Sequence, residues 1–141
     1  MEDAELRQTI SLAESYKQRV EALSRQVQAL RVSLDEVTVA SQALKAFRDA
    51  KDGEEIMVPI GSMSYITVKV TSNRNVLVNV GSDISVEKDP ESAIRYMDSN
   101  GAEISEALKK TTEALSESQN ALSSLTSAIQ QEYAARQQQL Q

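Results

Sequence analysis

The sequence predicts an α+β fold: a long antiparallel α-helical coiled coil with two β-hairpins at one end. Heptad-spaced apolar residues occupy the first and last thirds of the chain, and short Val/Ile-rich runs with a period of two lie between them. Aromatic residues make up only 4% of the 141 residues. A core without large rings suits a narrow seam between helices, and we expect a single domain over residues 1–141.

Residues 3–48 are predicted to form the N-terminal coiled-coil helix. This segment has no Gly and no Pro, and from Val20 onward its apolar residues are separated by alternating steps of three and four. An a/d pattern sustained over several heptads is typical of a coiled coil. Turn residues ending at Gly53 then stop the helix. The predicted seam positions are Leu6, Thr9, Ala13, Tyr16, Val20, Leu23, Val27, Leu30, Leu34, Val37, Ser41 and Leu44.

Residues 54–88 change character and are predicted to form two β-hairpins. Four short runs alternate apolar and other residues, and turn residues such as Gly61-Ser62 and Gly81-Ser82-Asp83 separate them. Pro59 cannot donate to a ladder, so its strand is predicted to be an edge or to carry a bulge. The alternating apolar residues are Ile56, Val58, Ile60, Ile66, Val68, Val70, Val76, Val78, Val80, Ile84 and Val86.

These hairpins are not expected to stand alone. An isolated hairpin is marginally stable in water, and two hairpins leave unpaired edges and an apolar face. Strands from other chains would cover both, so we expect a multi-subunit β hub with these apolar residues as its assembly surface. A ligand pocket among the same residues is the alternative interpretation.

Residues 90–139 are predicted to form the C-terminal coiled-coil helix. Asp89 is placed as the N-cap, Pro90 takes the first helical position, and Glu91 puts an acid in the first turn. Gly101 lies inside the pattern and costs about 1 kcal/mol relative to Ala. The apolar residues of its seam are Ile94, Met97, Ile104, Leu108, Leu115, Leu122, Leu125 and Ile129.

Four seam positions carry hydroxyl groups where Leu would pack better: Thr9, Ser41, Thr111 and Ser118. One interpretation is tolerated polar substitution in a long helix, and the other is an arm kept pliable. Residues 118–131 contain no charged residue. They form either a solvated Ser/Gln-rich face or a surface that meets varied apolar partners.

Composition excludes several classes of function. The chain has no Cys and no His, which removes disulfides, most zinc sites and every Ser-His or Cys-His catalytic arrangement. Acidic neighbours such as Glu54-Glu55 are interpreted as surface charge, and no Gly-Lys-Ser/Thr phosphate loop is present. We therefore expect no catalytic residue, no metal, no cofactor and no enzyme activity.

The same composition bounds location and partners. The net charge is −6, and phosphate binding needs clustered Lys and Arg, so nucleic acid is not an expected partner. The first residues are charged, and no run of apolar residues is long enough to span a bilayer. We expect a soluble cytoplasmic protein without membrane contact.

The hairpin segment resembles the α-type subunit of prefoldin, a co-chaperone of archaea and eukaryotes. Residues 54–61, Glu-Glu-Ile-Met-Val-Pro-Ile-Gly, are similar to the opening hairpin strand of that family. Residues 76–88 are similar to its second hairpin, which leads into the C-terminal helix. The order of helix, two hairpins and helix covers nearly the whole chain, and four strands favour the α type because β-type subunits carry one hairpin.

The resemblance implies a hexamer of two α-type and four β-type subunits, with hairpins forming a double β-barrel hub from which six coiled coils project. Such an assembly captures unfolded client proteins without ATP and delivers them to a group II chaperonin. It also implies that the coil tips contact clients, which by position assigns this role to Leu6, Ile10, Ala13, Tyr133 and Leu140. The alternative is a structural or scaffold subunit of a prefoldin-like complex without client-folding activity.

Overall fold

The computed structural model describes residues 1–140, in which two long helices flank two antiparallel hairpins along the chain. This arrangement confirms the predicted fold class. The elements are helix α1 (Asp3–Asp49), strands β1 (Glu55–Gly61), β2 (Ser64–Lys69), β3 (Val76–Asn79) and β4 (Ser85–Lys88), and helix α2 (Pro90–Gln139).

The chain divides into two compact units, and both helices contribute to each. The terminal unit comprises Met1–Arg31 and Glu106–Gln141, of which residues up to 140 are described, and the hairpin unit comprises Val32–Ser105. Within each unit the two helices run antiparallel. Asp3 meets Arg136 in the terminal unit, and Arg48 meets Glu91 in the hairpin unit. That the whole chain is a single domain stays a prediction.

The predicted seams coincide with the packed faces of the helices. Every predicted seam position of α1 and every apolar seam position of α2 is buried or half-buried. The most deeply buried apolar seam residues are Leu6 and Val27 in the terminal unit and Ile94 in the hairpin unit. The 3.5-residue period therefore predicted the packed face of both helices correctly.

Three of the four polar seam residues are buried and hydrogen-bonded, and the fourth, Thr9, is half-buried and donates to the carbonyl of Glu5 at 2.9 Å. In the hairpin unit, Ser41 donates to Asp98 Oδ1 at 2.7 Å. In the terminal unit, Arg19 Nε donates to Ser118 Oγ at 3.1 Å, and Thr111 donates to the carbonyl of Ala107 at 2.8 Å. Among residues 1–140, no buried side-chain N or O atom lacks a hydrogen-bond partner. The seam thus accommodates these hydroxyl groups without leaving a polar atom unsatisfied.

Arg74, in the segment between the hairpins, closes the C-terminal end of α1. Its guanidinium donates to the carbonyls of Phe47 and Ala50 at 2.6 and 2.8 Å and to Asp52 Oδ1 at 2.9 Å. It also lies 5.3 Å from the centroid of the Phe47 ring. A cation here satisfies carbonyls that have no partner inside the helix and complements the negative end of its dipole.

Asp89 starts α2 as the sequence predicts. Its Oδ1 accepts the backbone N–H of Ser92 at 2.7 Å, which satisfies one of the free donors of the first turn. This hydrogen bond favours the ionised carboxylate and holds the pKa of Asp89 below its ordinary value. Pro90 follows as the first helical residue.

Each hairpin forms its own two-stranded antiparallel sheet. The register of β1 and β2 shifts between Pro59 and Gly61, which confirms the irregularity predicted at the proline. Val70, Val80 and Ile84 lie just outside the strands to which their alternation assigns them. Ile84 does so because its N–H closes the second turn on the carbonyl of Gly81 at 2.9 Å.

Candidate assembly and client surfaces

Both hairpins turn through two central residues with positive φ. These are Ser62 (51°) and Met63 (59°) in the first hairpin, and Ser82 (51°) and Asp83 (59°) in the second. Two successive residues of this kind form a type I′ turn, whose twist matches that of antiparallel strands. Asp tolerates the left-handed region, whereas Met does so poorly. Met63 is nonetheless 91% exposed at the first turn, in a conformation that is unfavourable for its side chain.

The eleven predicted hub residues separate into two groups. Val70 and Val78 are buried within the hairpin unit, and four others are half-buried there: Ile56, Val58, Val68 and Val76. The remaining five are exposed in this chain: Ile60, Ile66, Val80, Ile84 and Val86. The first group packs inside the subunit, and the second group is available to a partner.

Other exposed apolar side chains enlarge this second group, and alternation did not identify them. Met57, Met63, Tyr65 and Leu77 are each more than half exposed, with Leu77 at 69%. We call these four, together with the five exposed residues above, the exposed hairpin surface. A usable signal was present in the sequence: Ile56-Met57-Val58 and Val76-Leu77-Val78 are unbroken apolar runs, which are typical of strands covered on both faces.

A groove of about 670 Å³ in the hairpin unit belongs to this surface. Its lining includes Val39 and Ala43 of α1, Met63 and Tyr65 of the first hairpin, and Leu77 of β3. Its lining is mainly apolar, with Asp35 and Glu36 also contributing. An apolar recess of this kind beside exposed strands suits the side chains of another protein.

The predicted client-contact residues occupy two different environments in the terminal unit. Leu6 and Ala13 are buried, with 6% and 9% exposure, whereas Tyr133 and Leu140 are 50% and 88% exposed. Ile10 is half-buried. The heptad pattern already placed Leu6 and Ala13 on the seam, so their burial follows from the sequence.

A small cleft brings three of these residues together. Ile10 and Ala13 of α1 and Tyr133 of α2 line a space of about 290 Å³. Its other lining residues are the apolar Leu122 and Ile129 and the polar or charged Glu14, Lys17, Thr126 and Gln130. Leu140 is not among its lining residues. The cleft is large enough for one apolar side chain. Tyr133 lies at its solvent-exposed edge.

Arg136 ties the ends of the two helices together in the terminal unit. Its Nη1 donates to Asp3 Oδ1 at 2.8 Å, its Nε donates to Glu132 Oε1 at 2.9 Å, and its Nη2 donates to the carbonyl of Met1 at 3.1 Å. The hydrogen bond from Arg136 lowers the pKa of Glu132, and the same bond raises the pKa of Arg136. Arg136 was not predicted as a functional residue, since heptad spacing identifies apolar positions and gives no weight to the charges beside them.

Within residues 1–140, no group of three or more acidic side chains is placed to hold a metal ion. Glu54, one of the acidic neighbours, accepts the N–H of Lys51 at 2.8 Å and so stabilises the turn after α1. Over the same residues, no helix combines the length and the apolar character that crossing a bilayer requires.

Paired antiparallel helices around two hairpins define a coiled-coil subunit. The family model described as prefoldin subunit matches residues 16–135. The prefoldin subunit alpha of Methanothrix thermoacetophila is 35% identical over 104 residues, which cover 74% of this chain and 68% of that protein. The prefoldin subunit alpha of Thermofilum pendens is 32% identical over 102 residues, covering 70% and 79% respectively.

A solved structure supports the same conclusion at the level of the fold. The crystal structure of the prefoldin beta subunit from Thermococcus strain KS-1 matches with a TM-score of 0.59 at 16% identity, covering 91% of both chains. The chain belongs to the prefoldin family, and the curated relatives that it matches are alpha subunits. Membership implies a function of the chaperone type.

Proposed function

We propose that this chain is the α-type subunit of an ATP-independent holdase, a hexamer of two α-type and four β-type subunits. In this proposal the complex captures unfolded proteins with the terminal units of its subunits and delivers them to a group II chaperonin in the cytoplasm. Family membership supports the class of function. The observation that carries the assembly step is the exposed hairpin surface, which a lone subunit leaves in water.

The assembly step follows from the energetics of that surface. Met57, Ile60, Leu77 and Ile84 are each at least 58% exposed, and burying apolar area is worth roughly 25 cal/mol per Å². Each sheet has two strands only, so its outer edges hold backbone donors and acceptors that a partner strand can pair. Hairpins from β-type subunits would cover the apolar side chains and pair the strand edges. A closed β-barrel hub buries the first and leaves none of the second unpaired.

Client capture is proposed for the terminal unit, where the apolar surface is smaller. Ile10 and Tyr133 at the cleft, with Leu140 beyond it, present limited apolar area, and Leu6 and Ala13 are covered. One such contact is weak. Several subunits acting on one client raise the overall avidity, while each weak contact still permits release. Delivery to a chaperonin requires this release. The net charge of −6 on this chain suits docking on a basic patch of the chaperonin.

The test is to co-express the full-length chain with a β-type subunit, measure the mass of the purified complex, and follow aggregation of a denatured protein without ATP. We expect a hexamer that suppresses aggregation. Replacing Tyr133 and Leu140 by Ser should reduce suppression and leave the mass unchanged. Leu12→Ser is the matched control, because Leu12 is 49% exposed in the same unit but lies outside the predicted contact set.

Two results would decide against the proposal. A chain that stays monomeric with every β-type partner contradicts the assembly step. A hexamer that leaves aggregation unchanged contradicts the holdase step, and the scaffold interpretation then replaces it.

A further inference from the structure

We propose that three charged residues of the terminal unit form a clasp that covers apolar client-binding surface and thereby regulates holding. The clasp consists of Asp3, Glu132 and Arg136. This inference rests on the proposed holdase function, because it concerns access to the same surface. It assigns a regulatory role to ion pairs that otherwise read as surface charge.

The clasp joins the two helices through the Arg136 side chain, and Met1 adds two contacts: its carbonyl accepts from Arg136 Nη2 at 3.1 Å, and its amino group lies 3.6 Å from Glu132 Oε2. Arg136 bridges to Asp3 across the helix pair at 2.8 Å and to Glu132, one turn earlier on its own helix, at 2.9 Å. The Glu132 side chain is only 16% exposed, whereas that of Asp3 is 81% exposed. The ion pair between Arg136 and Asp3 therefore includes the most solvated side chain of the clasp, and it opens more easily than the pair between Arg136 and Glu132.

The face of α1 that carries Asp3 also carries a buried apolar residue. Asp3 and Leu6 are three positions apart and share one face of α1, and Glu132 and Arg136 share one face of α2. Because Arg136 contacts Asp3, these two faces meet, and Leu6 is 6% exposed on the meeting face. Separating the ends of the helices would expose Leu6 first and Ala13 after it.

The newly exposed area would extend a surface that is already open. The cleft of Ile10, Ala13 and Tyr133 lies along the same helix pair, and Tyr133 directly follows Glu132 of the clasp. Moving the last turns of α2 therefore shifts the rim of the cleft as well. A client segment bound there would gain contact with Leu6 when the clasp opens.

The clasp is suited to switching because it is weak. Solvated ion pairs contribute little net free energy and are screened by salt, and helix ends fray readily. Fraying therefore separates the helix ends in a small fraction of molecules. A ligand that contacts only this open form shifts the equilibrium toward it. An apolar client segment is such a ligand, whereas a folded protein offers no apolar segment and leaves the clasp closed.

The test compares open and locked forms of the same assembled complex. Arg136→Gln removes the bridging cation. Arg7→Gln is the matched control, since Arg7 belongs to none of the ion pairs found among residues 1–140. For the locked form, Asp3→Cys and Arg136→Cys are combined and joined with a short bifunctional thiol reagent. The chain has no native Cys, so only the introduced pair reacts when the β-type partner is also cysteine-free.

We expect Arg136→Gln to lower the complex concentration needed for half-maximal suppression of aggregation by about threefold. The locked form should need about threefold more than the same double-Cys protein before cross-linking. Hydrogen exchange should show faster exchange of residues 3–13 in Arg136→Gln than in Arg7→Gln. Higher salt should reproduce the effect of Arg136→Gln in the unmodified complex and have little further effect in the variant.

The outcomes separate this inference from the proposed function. If locked and open complexes suppress aggregation equally, the clasp has no regulatory role, although the holdase function stands. If Arg136→Gln holds clients less well, the clasp builds the site instead of covering it, and the inference is wrong. If no form suppresses aggregation, the proposed function itself fails and the clasp loses its purpose.

Discussion

The two units of the chain treat apolar side chains in opposite ways. The terminal unit covers its large seam residues, and among its described residues the exposed large apolar ones are Met1, Leu12, Tyr133 and Leu140. The hairpin unit leaves nine hairpin residues exposed, including Met63 at 91% and Leu77 at 69%. In a helix pair the backbone groups are hydrogen-bonded within each helix, so only the apolar seam has to be covered. A two-stranded sheet has unpaired backbone groups at its edges and two faces to cover.

Under the proposed function, this difference corresponds to two kinds of contact with other proteins. A broad apolar surface with unpaired strands favours a permanent interface, which is typically large and hydrophobic. A narrow seam with a few exposed residues favours contacts that form and break. The predictions below test whether each unit is specialised in this way, beginning with the largest effect.

Leu77→Asp should abolish assembly with β-type subunits. The substitution places a charge on the exposed hairpin surface, where a partner would have to desolvate it. The chain itself should fold normally, because Leu77 is 69% exposed. Native mass spectrometry measures the complex, and Leu12→Asp in the terminal unit is the control that should assemble. A full yield of Leu77→Asp hexamer would show that the groove plays no part in the hub.

Ile94→Ala should lower the free energy of unfolding of the unassembled chain by about 2–5 kcal/mol. Ile94 is 4% exposed in the hairpin unit, so truncation leaves a cavity in its small core. Ile84→Ala makes the same chemical change at a side chain that is 58% exposed and should have little effect before assembly. Urea denaturation compares the two. Equal losses would mean that the exposed hairpin surface is not free in the lone subunit.

Met63→Asn should stabilise the lone chain by about 1 kcal/mol, since Asn tolerates the left-handed conformation at φ 59° better than Met. The same substitution should weaken assembly, because Met63 contributes apolar area to the groove. Ser62→Asn, in the same turn at φ 51°, is the matched control that should keep full assembly. Titration with β-type subunit measures affinity. Unchanged affinity for Met63→Asn would leave the unfavourable turn without a functional reason.

Acid should destabilise both units by a smaller amount. The pKa values of Asp49 and Asp89 in the hairpin unit and of Glu132 in the terminal unit are lowered by hydrogen bonds from Arg48, the Ser92 N–H and Arg136 respectively. A lowered pKa means that the ionised group stabilises the folded state above its ordinary pKa and that this contribution disappears as pH falls through the folded value.

The melting temperature of the chain should therefore be flat near neutrality and fall below the ordinary values of these groups, 4.5 for Glu and 3.8 for Asp. Asp89→Asn keeps an oxygen acceptor for Ser92 but cannot titrate, so its decline should be shallower. A melting temperature that rises as the solution is acidified through this range would contradict the assignment.

The sequence was most informative where one period governs a long segment. The seam positions of both helices could be read from steps of three and four, and the packed faces agree with them from Leu6 to Leu44. The start of α2 was equally predictable, because Asp89 and Pro90 act locally through the first turn.

Long-range polar contacts could not be read in the same way. Arg74 donates to the carbonyls of Phe47, in α1, and Ala50, just after it, more than twenty positions earlier in the chain. Nothing among the turn residues around Arg74 distinguishes it from a solvated cation. Arg136 likewise bonds to Asp3 only because the helix pair brings them together. Met63 was missed because a type I′ turn normally selects Gly, Asn or Asp, so composition gave no reason to expect a large apolar side chain there.

The central claim is that other chains complete the exposed hairpin surface. The mass of the complex formed with a β-type subunit tests this claim most directly. The account predicts one species containing two copies of this chain and four of its partner, together with protection from hydrogen exchange at Leu77 and Ile84. A monomer that keeps these residues solvated in the presence of an equimolar or larger amount of partner would contradict it.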